Sequence, residues 1–235
     1  LPTLGELGRF PISLKIITQI ITFWIHMIDS KRNSYLKLCY DYLYHKGNDR
    51  WINSVKIVLQ EIGLRHVWNN QFTFSVSRLK HTVQEKLEHL YTKFWKKQKG
   101  EISRLRFYDS VTESYREEPY LTLCKNKNHR EIFSKFRTSS HNLMIEKGRH
   151  RNVLRKDRKC TYCHEIEDEV HLLDKCIIYN ELRCNLISDL NINEFNKDGI
   201  KLSNIICKDE YQVCLAKYVH DCFMKRNNTC TSFNT

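Results

Sequence analysis

Apolar positions recur at spacings of three and four along most of the chain, and that period predicts helices. Ile16, Ile17, Ile20, Ile21, Trp24, Ile25 and Ile28 form one stripe over 12–29, with Pro11 placed to open the helix. Tyr35, Leu36, Leu38, Cys39, Tyr42 and Leu43 predict a second helix that Gly47 ends. Ile52, Val55, Val58, Leu59 and Ile62 predict a third, stopped by Gly63. Residues 64–74 read as a linker with Val67 and Trp68 turned to the core. The longest periodic run is 76–99, with Val76, Leu79, Val83, Leu87, Leu90, Tyr91 and Phe94 on one stripe and Lys and Glu opposite. Residues 1–11 read as a loop, because Gly5, Gly8 and Pro11 break regular structure.

The pattern is weaker from 101 to 124, where a helix over 102–111 and two short strands fit equally well. Glu113, Glu117 and Glu118 read as solvated there. Ile178, Leu182, Leu186 and Leu190 repeat every four, which predicts another helix. A last helix carries Tyr211, Cys214, Leu215, Tyr218, Val219, Cys222 and Phe223, with 226–235 as a frayed tail. The fold class is mainly α. The three regions expected are 1–124, 125–190 and 191–235.

Charge changes the picture at Lys125. From there to Lys159 the chain has twelve Lys/Arg against three Asp/Glu, a net +9 of the whole chain's +12. Ile132, Phe133 and Phe136 lie within the stretch, so a folded element carries the charge. With a pI near 9.2, nucleic acid or an anionic membrane surface is the expected partner class. The most apolar run, Ile16–Ile28, has thirteen residues and includes His26. A bilayer span needs about 20, so a core helix is expected and no membrane partner.

Directly after the basic stretch come Cys160, Cys163, His171 and Cys176. Thiolate and imidazole are ligands zinc prefers, and a closed structural site takes four. A Cys-x2-Cys pair fits a tight turn around one ion. His171 and Cys176 are five apart, so a helical turn must end between them for both to reach it. Chance and disulfide pairing are the competing explanations in a chain of ten cysteines. Four ligands at finger-like spacing favour one structural Zn2+ in a small CCHC knuckle near 160–176. His164 follows Cys163 too closely for both to bind one ion, and Cys184 reads as a small core residue. The intervening 161–175 is acidic, with Glu165, Glu167, Asp168, Glu169 and Asp174 against Lys175. Any phosphate is therefore expected to meet the segment before it. The cysteine usage fits a reducing, intracellular compartment, nucleus or cytoplasm.

Catalytic signatures are missing. The seven glycines form neither a phosphate-cradling Gly-x4-Gly-Lys nor a Gly-x-Gly-x2-Gly. No serine sits in an elbow motif. Tyr40-Asp41-Tyr42 offers one carboxylate, where a two-metal polymerase site needs a pair. The expectation is that this chain is not itself an enzyme.

Four blocks carry a resemblance. They are Gly5-Glu-Leu-Gly-Arg-Phe-Pro11, Lys135-Phe-Arg-Thr-Ser-Ser140, His141-Asn-Leu-Met-Ile-Glu-Lys-Gly-Arg149 and Arg158-Lys-Cys-Thr-Tyr-Cys163 with His171 and Cys176. Together, from about Leu4 to Tyr179, they resemble the C-terminal region of reverse transcriptases from animal non-LTR (LINE-type) retrotransposons. The resemblance implies a region following the polymerase palm and thumb, 1–124 being its thumb-linker-like part, whose knuckle helps hold template RNA or target DNA. It implies Cys160, Cys163, His171 and Cys176 as metal ligands, and it places Lys135, Arg137, Arg149 and Arg158 at the family's basic positions. Lys147, Arg151, Arg155, Lys156 and Lys159, from the same basic stretch, complete the expected nucleic-acid-binding set. An upstream polymerase domain of the same polyprotein is the implied partner in cis. The family's paired-Asp polymerase motif is absent from this chain, as is any endonuclease after Cys176. The alternative is a domesticated or decayed fragment, a zinc-stabilised protein-interaction scaffold whose charge is a solvated face.

Overall fold

A computed structural model describes residues 2–28, 34–47, 49–71, 75–190 and 201–231. About three quarters of the described residues are helical, and none of them forms a strand. In chain order the α-helices are α1 Pro2–Glu6, α2 Ile12–Ile28, α3 Ser34–Lys46, α4 Arg50–Glu61, α5 Arg65–Asn69, α6 Val76–Glu101 and α7 Arg106–Val111. There follow α8 Tyr120–Leu123, α9 Lys127–Arg137, α10 Met144–His150, α11 Asn180–Asp189, α12 Leu202–Ile205 and α13 Gln212–Thr231. They belong to two compact units, Phe10–Lys97 and a second made of Leu1–Arg9 with Gln98–Thr235. This division differs from the three regions expected from composition: the boundary falls inside α6 rather than at 124. The expected residue 29 of α2, Phe74 of the linker, 191–200 and the tail from 232 lie outside the described residues.

The helical unit, Phe10–Lys97, follows its periodicity. Ile21, Trp24 and Ile25 of α2, Ile52, Val55 and Leu59 of α4, and Leu79, Val83 and Leu87 of α6 are buried in one cluster. Trp24 and Trp68 stack with ring centres 5.5 Å apart. Asp49 caps α4 by accepting from the Ile52 N–H at 2.9 Å. The linker holds a short helix, α5, and Val67 and Trp68 are buried as expected. In α6 the buried side after Leu87 passes to Trp95, while Leu90 and Phe94 are exposed. The buried positions Leu79, Val83, Leu87 and Trp95 step in fours, so at 3.6 residues per turn the buried side winds away from the predicted stripe. Tyr40 is buried and its hydroxyl donates to Gln71 Oε1, while Asp41 pairs with Lys37.

The second unit, here the Cys/His unit, packs α9 along α13. Phe133, Phe136, Leu215, Val219, Cys222 and Phe223 meet there, joined by Tyr120, Leu143, Leu172 and Leu173. Through this apolar core runs a charged centre. Arg137 is 0% exposed. Its Nε lies 3.1 Å from Glu6 Oε1 and an Nη lies 3.1 Å from Glu118 Oε1. Gln212 ties in by donating to Glu118 at 2.8 Å and accepting from the Tyr120 N–H. The Tyr120 hydroxyl donates to Glu6. Burial pushes the Glu6 carboxyl above its ordinary pKa, with Arg137 and Tyr120 opposing. Burial also works against a charged Arg137, but Glu6 and Glu118 outweigh it and hold the guanidinium ionised.

Three expectations are corrected here. Residues 2–6 form the helix α1 instead of a loop, with Glu6 delivered to Arg137. Glu118 is buried and paired, not solvated. Cys184 is exposed on α11, not in the core. Gly8 explains how the N-terminal block docks: its φ is +57°, and a Cβ there would stand 2.3 Å from the Glu117 nitrogen. Only glycine permits that approach. It lets Leu7 bridge Glu117 and the Glu6 carbonyl accept from the Glu118 N–H at 2.9 Å. Glu6 and Arg137, far apart in sequence, thereby meet in the interior.

Candidate metal centre and arginine cleft

Cys160 and Cys163 sit on a tight turn. The Cys160 carbonyl accepts from His164 at 3.0 Å and its N–H donates to the Glu165 carbonyl at 2.7 Å. His164 has φ +58° at the apex and is exposed, outside the ligand set. Lys159 and Ile166 bridge across the base of the turn. His171 opens a wide π-type turn, His171–Lys175, closed by the Cys176 N–H donating to the His171 carbonyl at 2.8 Å. The turn ends before Cys176, as the five-residue spacing requires. Asp168 fixes its start by accepting from the His171 N–H at 2.9 Å. Arg183, buried on α11, donates to the Leu173 and Cys176 carbonyls at 2.8 and 3.1 Å. The Tyr218 hydroxyl of α13 donates to the Leu172 carbonyl at 3.2 Å. The neighbouring helices therefore hold this turn through its backbone and leave its side chains to converge.

They do converge. One donor atom from each of Cys160, Cys163, His171 and Cys176 lies within 4.8 Å of every other. Cys176 Sγ is 3.9 Å from Cys160 Sγ and 3.6 Å from Cys163 Sγ. All three are free thiols, which removes the disulfide alternative. Ligands about 2.3 Å from a tetrahedral ion stand about 3.8 Å apart, so the sulfur spacing suits one ion. His171 is buried, and neither ring nitrogen makes a hydrogen bond. Glu165 is 3.7 Å from Nδ1, beyond hydrogen-bond range. Buried polar atoms without partners are costly, and a metal ion would satisfy one of these. Burial raises the Cys176 thiol well above its ordinary pKa and lowers that of His171. An ion there would draw off the thiol protons. The group can hold a metal ion. A second cluster, His129, His220 and Asp221, is half-exposed where α9 faces α13.

The expected nucleic-acid-binding residues separate into three fates. Arg137 is a correction: sealed between Glu6 and Glu118, it cannot reach a phosphate. The composition of its block gave no sign of this, because the acids that pair with it lie 131 and 19 positions away in sequence. Lys135 is exposed and paired with Glu131, and Arg149 is half-buried and paired with Glu146. Arg158 donates to the Ile145 and Val153 carbonyls at 2.9 and 3.0 Å. Gly148 makes room for it, since a Cβ there would lie 2.7 Å from Arg158 Cγ. Lys147, Arg151, Arg155, Lys156 and Lys159 are exposed and make no ion pair among the described residues. They all fall in the thirteen residues before Cys160.

Two arginines were not foreseen. Arg104 and Arg106 join Arg149, Arg155 and Arg158 around a cleft of about 140 Å³. Their only sequence signal is Ser103-Arg-Leu-Arg106, two cations flanking a leucine that is buried. The acidity of 161–175 is also partly used up inside. Glu167 takes a bidentate pair from Arg226 at 2.9 and 3.0 Å and accepts from the Met144 N–H at 2.7 Å. Glu169 accepts from Ser139 at 3.0 Å and pairs with His141 at 2.9 Å. These acids anchor the basic stretch to the metal-site loop.

No protein-family model, characterised protein or solved structure matches this chain. No helix among the described residues is long and apolar enough to cross a membrane.

Proposed function

We propose that the Cys/His unit is a zinc-stabilised nucleic-acid-binding module, the C-terminal region of a LINE-type retroelement reverse transcriptase, that holds template RNA or target DNA. One observation carries the reading: five unpaired, exposed cations lie in the stretch that the acids of the metal-site loop tie down. Zinc suits a site of three sulfurs and one imidazole, with Cys160, His171 and Cys176 buried and Cys163 partly so. Its role is to fix the loop. Holding nucleic acid rather than chemistry is the role of this chain, in a reducing compartment where the thiols stay free. The polymerase domain of the same polyprotein is the partner in cis.

The test is the salt dependence of binding to single-stranded RNA and duplex DNA by fluorescence anisotropy. Each phosphate contacted contributes about −0.7 to −0.9 to the log–log slope. Lys147→Ala, Arg151→Ala, Lys156→Ala and Lys159→Ala together should flatten the slope by several units without unfolding the chain. An unchanged slope, or no binding at low salt, would overturn the reading. The scaffold alternative has its own observation: Tyr35, Leu38 and Tyr42 of α3 are all exposed at helical spacing. A fall in binding to a protein partner on Tyr35→Ser and Leu38→Ser, with nucleic acid ignored, would favour it.

A further inference from the structure

The five arginines of the cleft are not equivalent to a basic surface. They come from three places, the turn into α7, the helix α10 and the loop before Cys160, and they surround a space of about 140 Å³. A buried site for one water needs only about 10–15 Å³, so the cleft takes a group of several heavy atoms. Its charge is only partly matched. Glu146 is shared by Arg149 and by Arg104 at 3.6 Å. Arg106 reaches Asp168 at 3.7 Å. Arg158 spends its donors on neutral carbonyls, and Arg155 makes no ion pair among the described residues. Glu169, on the cleft wall, is paired with His141. The Nε of Arg149 is buried without a hydrogen-bond partner, a donor in want of an acceptor.

We propose that this cleft receives a terminal phosphate monoester of the nucleic acid. The proposal rests on the nucleic-acid reading above and names the group that is gripped. Guanidinium forks match phosphate oxygens in pairs, where lysine acts as a point charge. All the cations at the cleft are arginines, while lysines stand outside it. A monoester carries about −1.5 to −2 at neutral pH, against −1 for a backbone diester, and so answers the unmatched guanidiniums better. A terminal group also leaves the cleft by one ester bond, whereas a backbone phosphate needs a way out for the chain on both sides.

The experiment compares three oligonucleotides of one sequence by anisotropy on the full chain: 5′-phosphate, 3′-phosphate and hydroxyl at both ends. One phosphorylated end should bind about tenfold tighter than the hydroxyl form, or more, the gain expected from a single charge-assisted hydrogen bond being at least about that. The arm that tightens identifies the end. Arg155→Gln, an exposed residue whose loss should leave the fold intact, should abolish the preference and weaken the hydroxyl form by no more than the loss of one surface cation. Arg106→Gln is the second variant and should do the same, and Lys159→Gln should weaken all three equally. Equal binding of all three by the wild-type chain overturns the phosphate cleft and leaves the nucleic-acid reading standing. So does a preference that survives both arginine variants, or one that Lys159→Gln removes as well. Absence of any binding at low salt overturns the nucleic-acid reading, and this proposal with it.

Discussion

The two units are ordered by different physics. Among the described residues of the helical unit, Thr18 is the one buried polar or charged side chain. The Cys/His unit buries Glu6, Lys99, Glu118, Arg137, Glu146, Glu167, Glu169, His171 and Arg183. The first is held by apolar area, about 25 cal/mol for each Å² removed from water. The second has an apolar core as well, but its loops are placed by ion pairs, carbonyl clamps and a metal-ready group. An apolar core tolerates approximate matches and fails gradually. A buried ion pair fails when one member is lost, because the survivor remains charged and unsolvated.

The largest effect expected from this contrast is on metal removal. Structural zinc contributes an apparent binding free energy of about 10–16 kcal/mol in zinc-finger peptides. Chelation, or Cys163→Ser, should strip amide protection from 150–180 and leave α2 and α4 protected in hydrogen exchange. Loss of protection in α2 and α4 to the same extent would break the comparison.

Next comes Arg137→Ala. It strands Glu6 and Glu118 in the interior, and removal of one partner from a buried pair costs about 3–5 kcal/mol. Denaturant unfolding monitored in each unit should show the loss in the Cys/His unit alone. The counterpart in the helical unit is Leu59→Ala. Leu59 is fully buried, and such truncations cost about 2–5 kcal/mol. It should lower the transition of α2–α6 and leave metal uptake unchanged.

The smallest effect is on pH. Burial alone would raise the Glu169 carboxyl, but hydrogen bonds from His141 and Ser139 and the His141 charge outweigh it, so its pKa lies below the ordinary 4.5. A depressed carboxyl stabilises the fold above that ordinary value, and the contribution is lost as pH falls through the folded value. The melting temperature of the Cys/His unit should therefore fall below about pH 4.5. Glu169→Gln should be less stable at neutral pH and show a smaller further drop in acid. A drop equal to that of the unsubstituted chain would remove Glu169 from the explanation.

The sequence alone determined the mainly helical class, the limits of α2, α4 and α6 to within two residues, and the four residues that converge as a metal-ready group. These are local properties. A helical period is written in neighbours three and four apart, and the metal ligands lie within seventeen residues of one another. The tertiary structure decided what each charge is for. Lys135 and Arg137 are two positions apart in one basic block, yet one is exposed and the other is sealed in the core. Arg104 and Arg155 are fifty-one positions apart and line the same cleft. Glu118 reads as solvated along with Glu113 and Glu117, and becomes buried because Arg137 and Gln212 arrive beside it. A cation's partner is set by Coulomb attraction at a few ångströms, and only the folded chain brings distant residues that close.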